Sequence, residues 1–133
     1  LWDAAIVLTK YLLVEYQPPS QRIVELGAGL GLPSIALALD GNDVTATERG
    51  ITMDILRRNV EYNCNPLALG RISVETIEWS IDQATLSAQC ADKSFDIIIG
   101  SDLIFPRNED AWVALAATFR ELLQRPRSGA VPV

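Results

Sequence analysis

The chain has 133 residues, 49% of them hydrophobic, with 11 Lys+Arg against 17 Asp+Glu and a net charge of −6. A chain this long buries roughly two-thirds of its unfolded surface, which excludes a disordered tail and a disulfide miniprotein, and its acidic balance argues against non-specific nucleic-acid binding. It has no histidine, so imidazole bases, Ser–His or Cys–His nucleophiles and His-ligated metals are excluded together.

Residues 2–16 predict a helix, because Trp2, Ala5, Ile6, Thr9, Leu12, Leu13 and Tyr16 recur at three- and four-residue steps. Pro18-Pro19 stop it. Residues 22–26 (RIVEL) read as a short buried strand running into a glycine cluster. Pro33 suits the first turn of the next helix, which runs to Leu39. Asp40-Gly41-Asn42 marks a turn, and residues 43–47 (DVTAT) form a second strand. Residues 51–63 predict a helix with Ile55, Leu56, Asn59 and Val60 on one side, broken at Asn63-Cys64-Asn65-Pro66. Residues 71–77 alternate as a third strand, and a short helix is expected over 83–88. Residues 95–100 (FDIIIG) are almost continuously apolar, the pattern of a central parallel strand covered on both faces. Trp112, Leu115, Ala116, Phe119, Leu122 and Leu123 give residues 109–123 the clearest helical spacing. Residues 129–133 are expected to begin a fifth strand.

Cys64 and Cys90 lack zinc-type spacing and read as free thiols of a reducing compartment, so a cytoplasmic or nuclear location is expected. No apolar run reaches the roughly 20 residues of a membrane span, and no signal segment opens the chain. A start at Leu1 instead of Met suggests a piece of a longer protein. No repeat or linker divides the chain, so residues 1–133 are expected to form one domain. Helix and strand alternate throughout, which predicts a doubly wound α/β sheet of mainly parallel strands. In such sheets ligands bind beyond the carboxyl ends of the strands, where strand order reverses.

Four segments sit at those ends. After strand one comes Glu25-Leu26-Gly27-Ala28-Gly29-Leu30-Gly31, where glycines let a ligand lie against bare backbone. Leu32 replaces the third glycine of the dinucleotide fingerprint, which favours a ligand without a pyrophosphate. After strand two comes Glu48, placed as a carboxylate that binds ribose hydroxyls would be. After strand three comes Trp79, an aromatic able to pack beside adenine. After strand four comes Gly100-Ser101-Asp102-Leu103-Ile104-Phe105, with an acidic residue leaving the strand into the crevice. The Asn-Pro-Pro-Tyr run of base and amide methylation does not occur there.

Together these segments resemble a class I, seven-stranded S-adenosylmethionine (SAM) dependent methyltransferase. They are most similar to the methyltransferase-like protein-lysine methyltransferases that act on non-histone proteins. Leu1-Trp2-Asp3-Ala4-Ala5, Val24–Gly31, Ile77-Glu78-Trp79-Ser80 and Ser101–Phe105 carry the resemblance, which covers nearly the whole chain. It implies a Rossmann-like fold, apparently truncated after about strand five, since such folds continue into a further helix and an antiparallel strand pair. It implies SAM as cofactor, held by Trp2, Gly27, Ala28, Gly29, Gly31, Glu48, Trp79 and Ser101. Asp102 and Phe105 would face the amine of a target lysine on a protein substrate, with no metal required; Phe105 stands where the family commonly has tyrosine. Rival readings are a small-molecule or other-residue methyltransferase, a non-catalytic SAM-binding or scaffolding domain, and, with less support, an NAD(P) oxidoreductase.

Overall fold

Strands β1 (Arg22–Glu25), β2 (Asp43–Thr47), β3 (Arg71–Glu75) and β4 (Ile97–Ile99) lie parallel in one sheet, in the order β3-β2-β1-β4. The computed structural model describes residues 2–17, 20–64, 70–106 and 108–124. The expected stop at Pro18-Pro19, the break through Asn65-Pro66 and the fifth strand over 129–133 lie outside these residues. The chain winds outward from β1 to β3, then crosses back to place β4 on the other side of β1. Strand order therefore reverses between β1 and β4, which opens a crevice at their carboxyl ends.

Among the described residues five α-helices cover the sheet: α1 (Asp3–Lys10), α2 (Leu32–Leu39), α3 (Ile51–Cys64), α4 (Gln83–Cys90) and α5 (Glu109–Gln124). The two-residue alternation of strand side chains separates two cores. Ile23 points to one face, where it meets Leu12, Leu37, Ala38 and Val44. Val24 points to the other, where it meets Leu26, Ile77, Cys90, Leu115 and Leu122. Thus α1, α2 and α3 pack on one side and α4 and α5 on the other, the doubly wound arrangement that the alternation of elements predicts.

The N-terminal helix departs from its predicted form. It is α-helical only to Lys10 and continues as a π-helical stretch, Tyr11–Tyr16, ending at Gln17 in the left-handed conformation. Wide turns let residues five apart share a face. Leu8, Leu12 and Leu13 all reach the core in this way, whereas Trp2, Ile6 and Tyr16 from the predicted apolar stripe remain on the surface.

Three further boundaries shift. β3 ends at Glu75, two residues earlier than expected. Beyond it the chain is held by α4, whose Gln89 side chain accepts from Glu78 N (3.0 Å) and donates to Glu78 O (2.7 Å). α4 runs on to Cys90, capped by the Asp82 carboxylate accepting from Thr85 N at 2.8 Å; the Thr85 side chain and then its N–H lower the Asp82 pKa. β4 is shorter than the apolar run, and among the described residues it pairs with β1. Its start is fixed by Asp96, which accepts from Arg22 N and from two nitrogens of the Arg22 guanidinium. α3 buries Met53 and Leu56, while Ile55 faces out.

Candidate functional site

A cavity of about 340 Å³ opens at the carboxyl ends of the strands, within the usual size range of small-molecule sites. Its floor is the glycine turn after β1. Gly27 and Gly29 adopt φ values of +63° and +57°, a region that side chains disfavour. A methyl group at Gly27 would lie 2.7 Å from Leu103 Cδ2 and 3.5 Å from Trp79 Cζ2. One at Gly29 would meet nothing within 4 Å, so bare backbone faces open space there. The turn is tied to β2 by Ala28 N donating to Thr47 O at 2.8 Å.

Glu48 meets this turn directly. Its Oε2 accepts from Gly29 N at 2.9 Å and its Oε1 accepts from Arg49 N at 2.9 Å. A carboxylate offers about four lone-pair sites, so capacity remains for two hydroxyls of a ligand. Thr47, Arg49 and Thr52 complete this wall. Ile77 and Trp79 line the side beyond β3. The Trp79 segment is anchored to α5, where buried Thr118 Oγ1 accepts from Ser80 N at 3.3 Å.

The opposite wall follows β4 and holds Ser101, Asp102, Leu103, Phe105 and Asn108. Asp102 has φ +56°, a left-handed backbone that costs a non-glycine residue about 1 kcal/mol or more. Leu103 folds back over the glycines: a methyl at Gly100 would lie 2.4 Å from its Cδ1. The Phe105 carbonyl accepts from Trp112 Nε1 of α5 at 3.2 Å. Trp2 and Phe105, 67% and 46% exposed, flank the mouth.

Eight of the ten residues singled out from the sequence therefore share one cavity: Trp2, Gly27, Gly29, Glu48, Trp79, Ser101, Asp102 and Phe105. Ala28 and Gly31 do not line it. Ala28 is buried with Ala46 and Leu56. Gly31 caps the amino end of α2 at φ +86°, where a methyl would lie 2.5 Å from Leu56 Cδ1. Both pack the turn against α3.

Sequence reasoning also passed over Glu25. This residue ends β1 and is 1% exposed. Its Oε2 accepts from Ser34 Oγ at 2.5 Å and Ser34 N at 3.1 Å. Burial pushes its pKa up from 4.5 to about 7, against the lowering effect of the Ser34 bonds, and the Glu48 charge adds to the rise. The signal was available: a charged residue flanked by Val24 and Leu26 at the end of a buried strand needs a buried partner.

Residues 1–131 match the family model described as lysine methyltransferase. The chain belongs to the lysine methyltransferase family. It is 38% identical over 125 residues to the protein N-lysine methyltransferase METTL21A of Xenopus tropicalis, covering 93% of this chain and 51% of that protein. It is 32% identical over 125 residues to EEF1A lysine methyltransferase 3 of Mus musculus, covering 92% and 49%. The chain thus spans about half the length of the curated relatives it matches. The fold is shared with protein arginine methyltransferase 10 of Arabidopsis thaliana, with a TM-score of 0.59 at 21% identity, over 94% of this chain and 33% of that one.

Proposed function

We propose that this chain carries the cofactor site and part of the substrate site of a SAM-dependent protein-lysine N-methyltransferase. The observation that carries the reading is the juxtaposition at the strand tips: the Glu48 carboxylate bonded to Gly29 N at 2.9 Å, with Asp102 across the same cavity. The residues present fit the cofactor. Gly29 leaves open a space that a side chain would fill, Glu48 retains acceptor capacity for a ribose diol, and Trp79 offers an aromatic surface beside the turn. When bound, SAM supplies a methyl group on a sulfonium, already electrophilic without help from a protein nucleophile.

The work left to the chain is binding and orientation. Glu48 and the glycine backbone would hold the nucleoside. Trp2 would close the cofactor site at the mouth, and Phe105 beside it would offer an apolar surface to the aliphatic stem of a lysine. A lysine amine, with a pKa of about 10.4 in water, must lose its proton before it attacks. Removal from water at the aromatic rim favours the neutral amine. Asp102 would favour the cation by charge, so its role is to accept an N–H bond and aim the nitrogen lone pair, while water takes the proton. Alignment of this kind supplies roughly 7–11 kcal/mol in favourable cases.

The lysine-bearing partner would be a protein, as the names of the relatives say of those enzymes. A cytoplasmic or nuclear location belongs to the same reading and is tested by imaging the tagged protein in cells. A thermal-shift screen with SAM, its demethylated product and NAD tests the cofactor first. A shift with SAM and its product but not NAD supports the reading, and a shift with NAD alone refutes it. Radiolabelled methyl transfer to lysate then tests the acceptor: label on protein lysine is expected, and label confined to small molecules overturns that part.

A further inference from the structure

We propose that Glu25 is a positioning residue of the cofactor cradle, its buried carboxylate bracing the end of β1 against the first turn of α2 and so setting the glycine backbone on which the nucleoside lies. This rests on the reading of the cavity as a SAM site. Glu25 and Ser34 stand at the two ends of the turn that contains Gly27, Gly29 and Gly31. The side chain of one accepts both the hydroxyl and the amide of the other. The main chain of Glu25 adds a second tie, its carbonyl accepting from Thr47 Oγ1 at 2.7 Å. Thr47 O in turn accepts from Ala28 N. Glu48 holds the turn from the cavity side through Gly29 N. Two carboxylates therefore grip one turn, Glu25 from beneath and Glu48 from the cavity.

The brace is also sensitive to charge. Among the described residues around Glu25, Glu48 is the charged group that acts on it. α2 presents Ser34 within a wholly uncharged helix, β2 presents Ala46 and Thr47, and β4 presents Ile99 in register. An ionised Glu25 accepts the Ser34 bonds more strongly than a protonated one, and its negative charge favours a cationic ligand above it. A bound sulfonium and an ionised Glu25 therefore support each other, a linkage that works in both directions. A glutamine keeps an acceptor oxygen but cannot ionise.

The test compares wild type with E25Q, E25A and S34A. Calorimetric titration with SAM is run at pH 6 and pH 8, either side of the Glu25 value of about 7, and amide hydrogen exchange is followed in the ligand-free chains. We expect E25A to lose roughly tenfold or more in affinity, S34A to lose less, and a variant combining E25A with S34A to be no worse than E25A, as for two groups sharing one contact. E25Q should match wild type at pH 6 and fall about threefold or more behind it at pH 8. In E25A and S34A the amides of Gly31 and Ser34 should exchange faster while those of α5 keep their rates. Unchanged affinity in E25Q and S34A at both pH values, or exchange that rises evenly through the whole chain, overturns the proposal. Should E25A fail to fold, E25Q and S34A decide alone. Absence of SAM binding by wild type refutes the cofactor reading instead, and the exchange pattern then still shows whether the brace exists.

Discussion

Replacing Glu25 by glutamine should change how stability depends on pH, and the size of the effect follows from burial. In the fold the Glu25 pKa is raised from 4.5 to about 7, with desolvation as the largest cause. The native state therefore keeps a proton that the unfolded chain releases. Stabilisation from this source is complete below pH 4.5 and is lost as pH rises through about 7. At about 1.4 kcal/mol per pKa unit, the interval corresponds to about 3 kcal/mol of unfolding free energy. For a chain of this size that is roughly 10 °C in Tm. Glutamine cannot ionise, so the E25Q variant lacks this loss. The difference in Tm, variant minus wild type, should therefore grow by roughly 10 °C between pH 4.5 and pH 8. Differential scanning calorimetry in matched buffers measures it. Parallel Tm profiles for the two proteins across that range would refute a buried carboxyl that ionises at a cost.

Three other perturbations separate the roles assigned around the cavity. Glu48→Gln removes a charge that both holds Gly29 N and faces the proposed ribose, so SAM affinity should fall about tenfold; unchanged affinity by calorimetry would remove Glu48 from the nucleoside site. Asp102→Asn keeps a residue tolerant of the left-handed backbone at φ +56°, so methyl transfer should fall about a hundredfold while SAM affinity stays within about twofold of wild type; equal turnover would exclude Asp102 from the reacting centre. Gly31→Ala places a methyl 2.5 Å from Leu56 Cδ1 at φ +86°, so it should cost roughly 2–3 kcal/mol of stability in denaturant titration, and a neutral result would contradict the packing of the turn on α3.

Where one physical requirement dominated, the residues announced the structure. Glycines that free the backbone after an apolar run marked the floor of the cavity, and single polar or aromatic residues just past the other strands marked its walls. Eight candidates converge because the carboxyl ends of neighbouring parallel strands are adjacent wherever strand order allows it. Residues whose role depends on a distant partner were less legible. Gly31 and Ala28 carry the same local signature as Gly27 and Gly29, yet Leu56 of α3 claims their surroundings. The apolar run over 95–100 marked a strand, but its length was less legible, since only Ile97–Ile99 find partners on β1 among the described residues. In the N-terminal helix, three- and four-residue spacing fits an α-helix as written; only contact with Ile23 and Leu37 makes Leu8, Leu12 and Leu13 share a face through a wider turn.

The same reasoning explains why unfavourable features gather at the strand tips. Gly27, Gly29, Gly31 and Asp102 all have positive φ, and Glu25 buries a carboxyl group. Each lowers stability when considered alone, and each lies in, or next to, a segment that bounds one cavity. Such costs persist only where surrounding contacts over-determine the conformation. Here the contacts are identifiable: Ser34 and Thr47 hold Glu25, Glu48 holds Gly29, and Leu103 packs against both Gly27 and Gly100. A substitution that relieves one of these costs should therefore stabilise the fold while loosening the cavity. E25Q provides the direct comparison: at pH 8 it should be the more stable protein and the weaker binder of SAM, a pairing that a role in core packing alone would not produce.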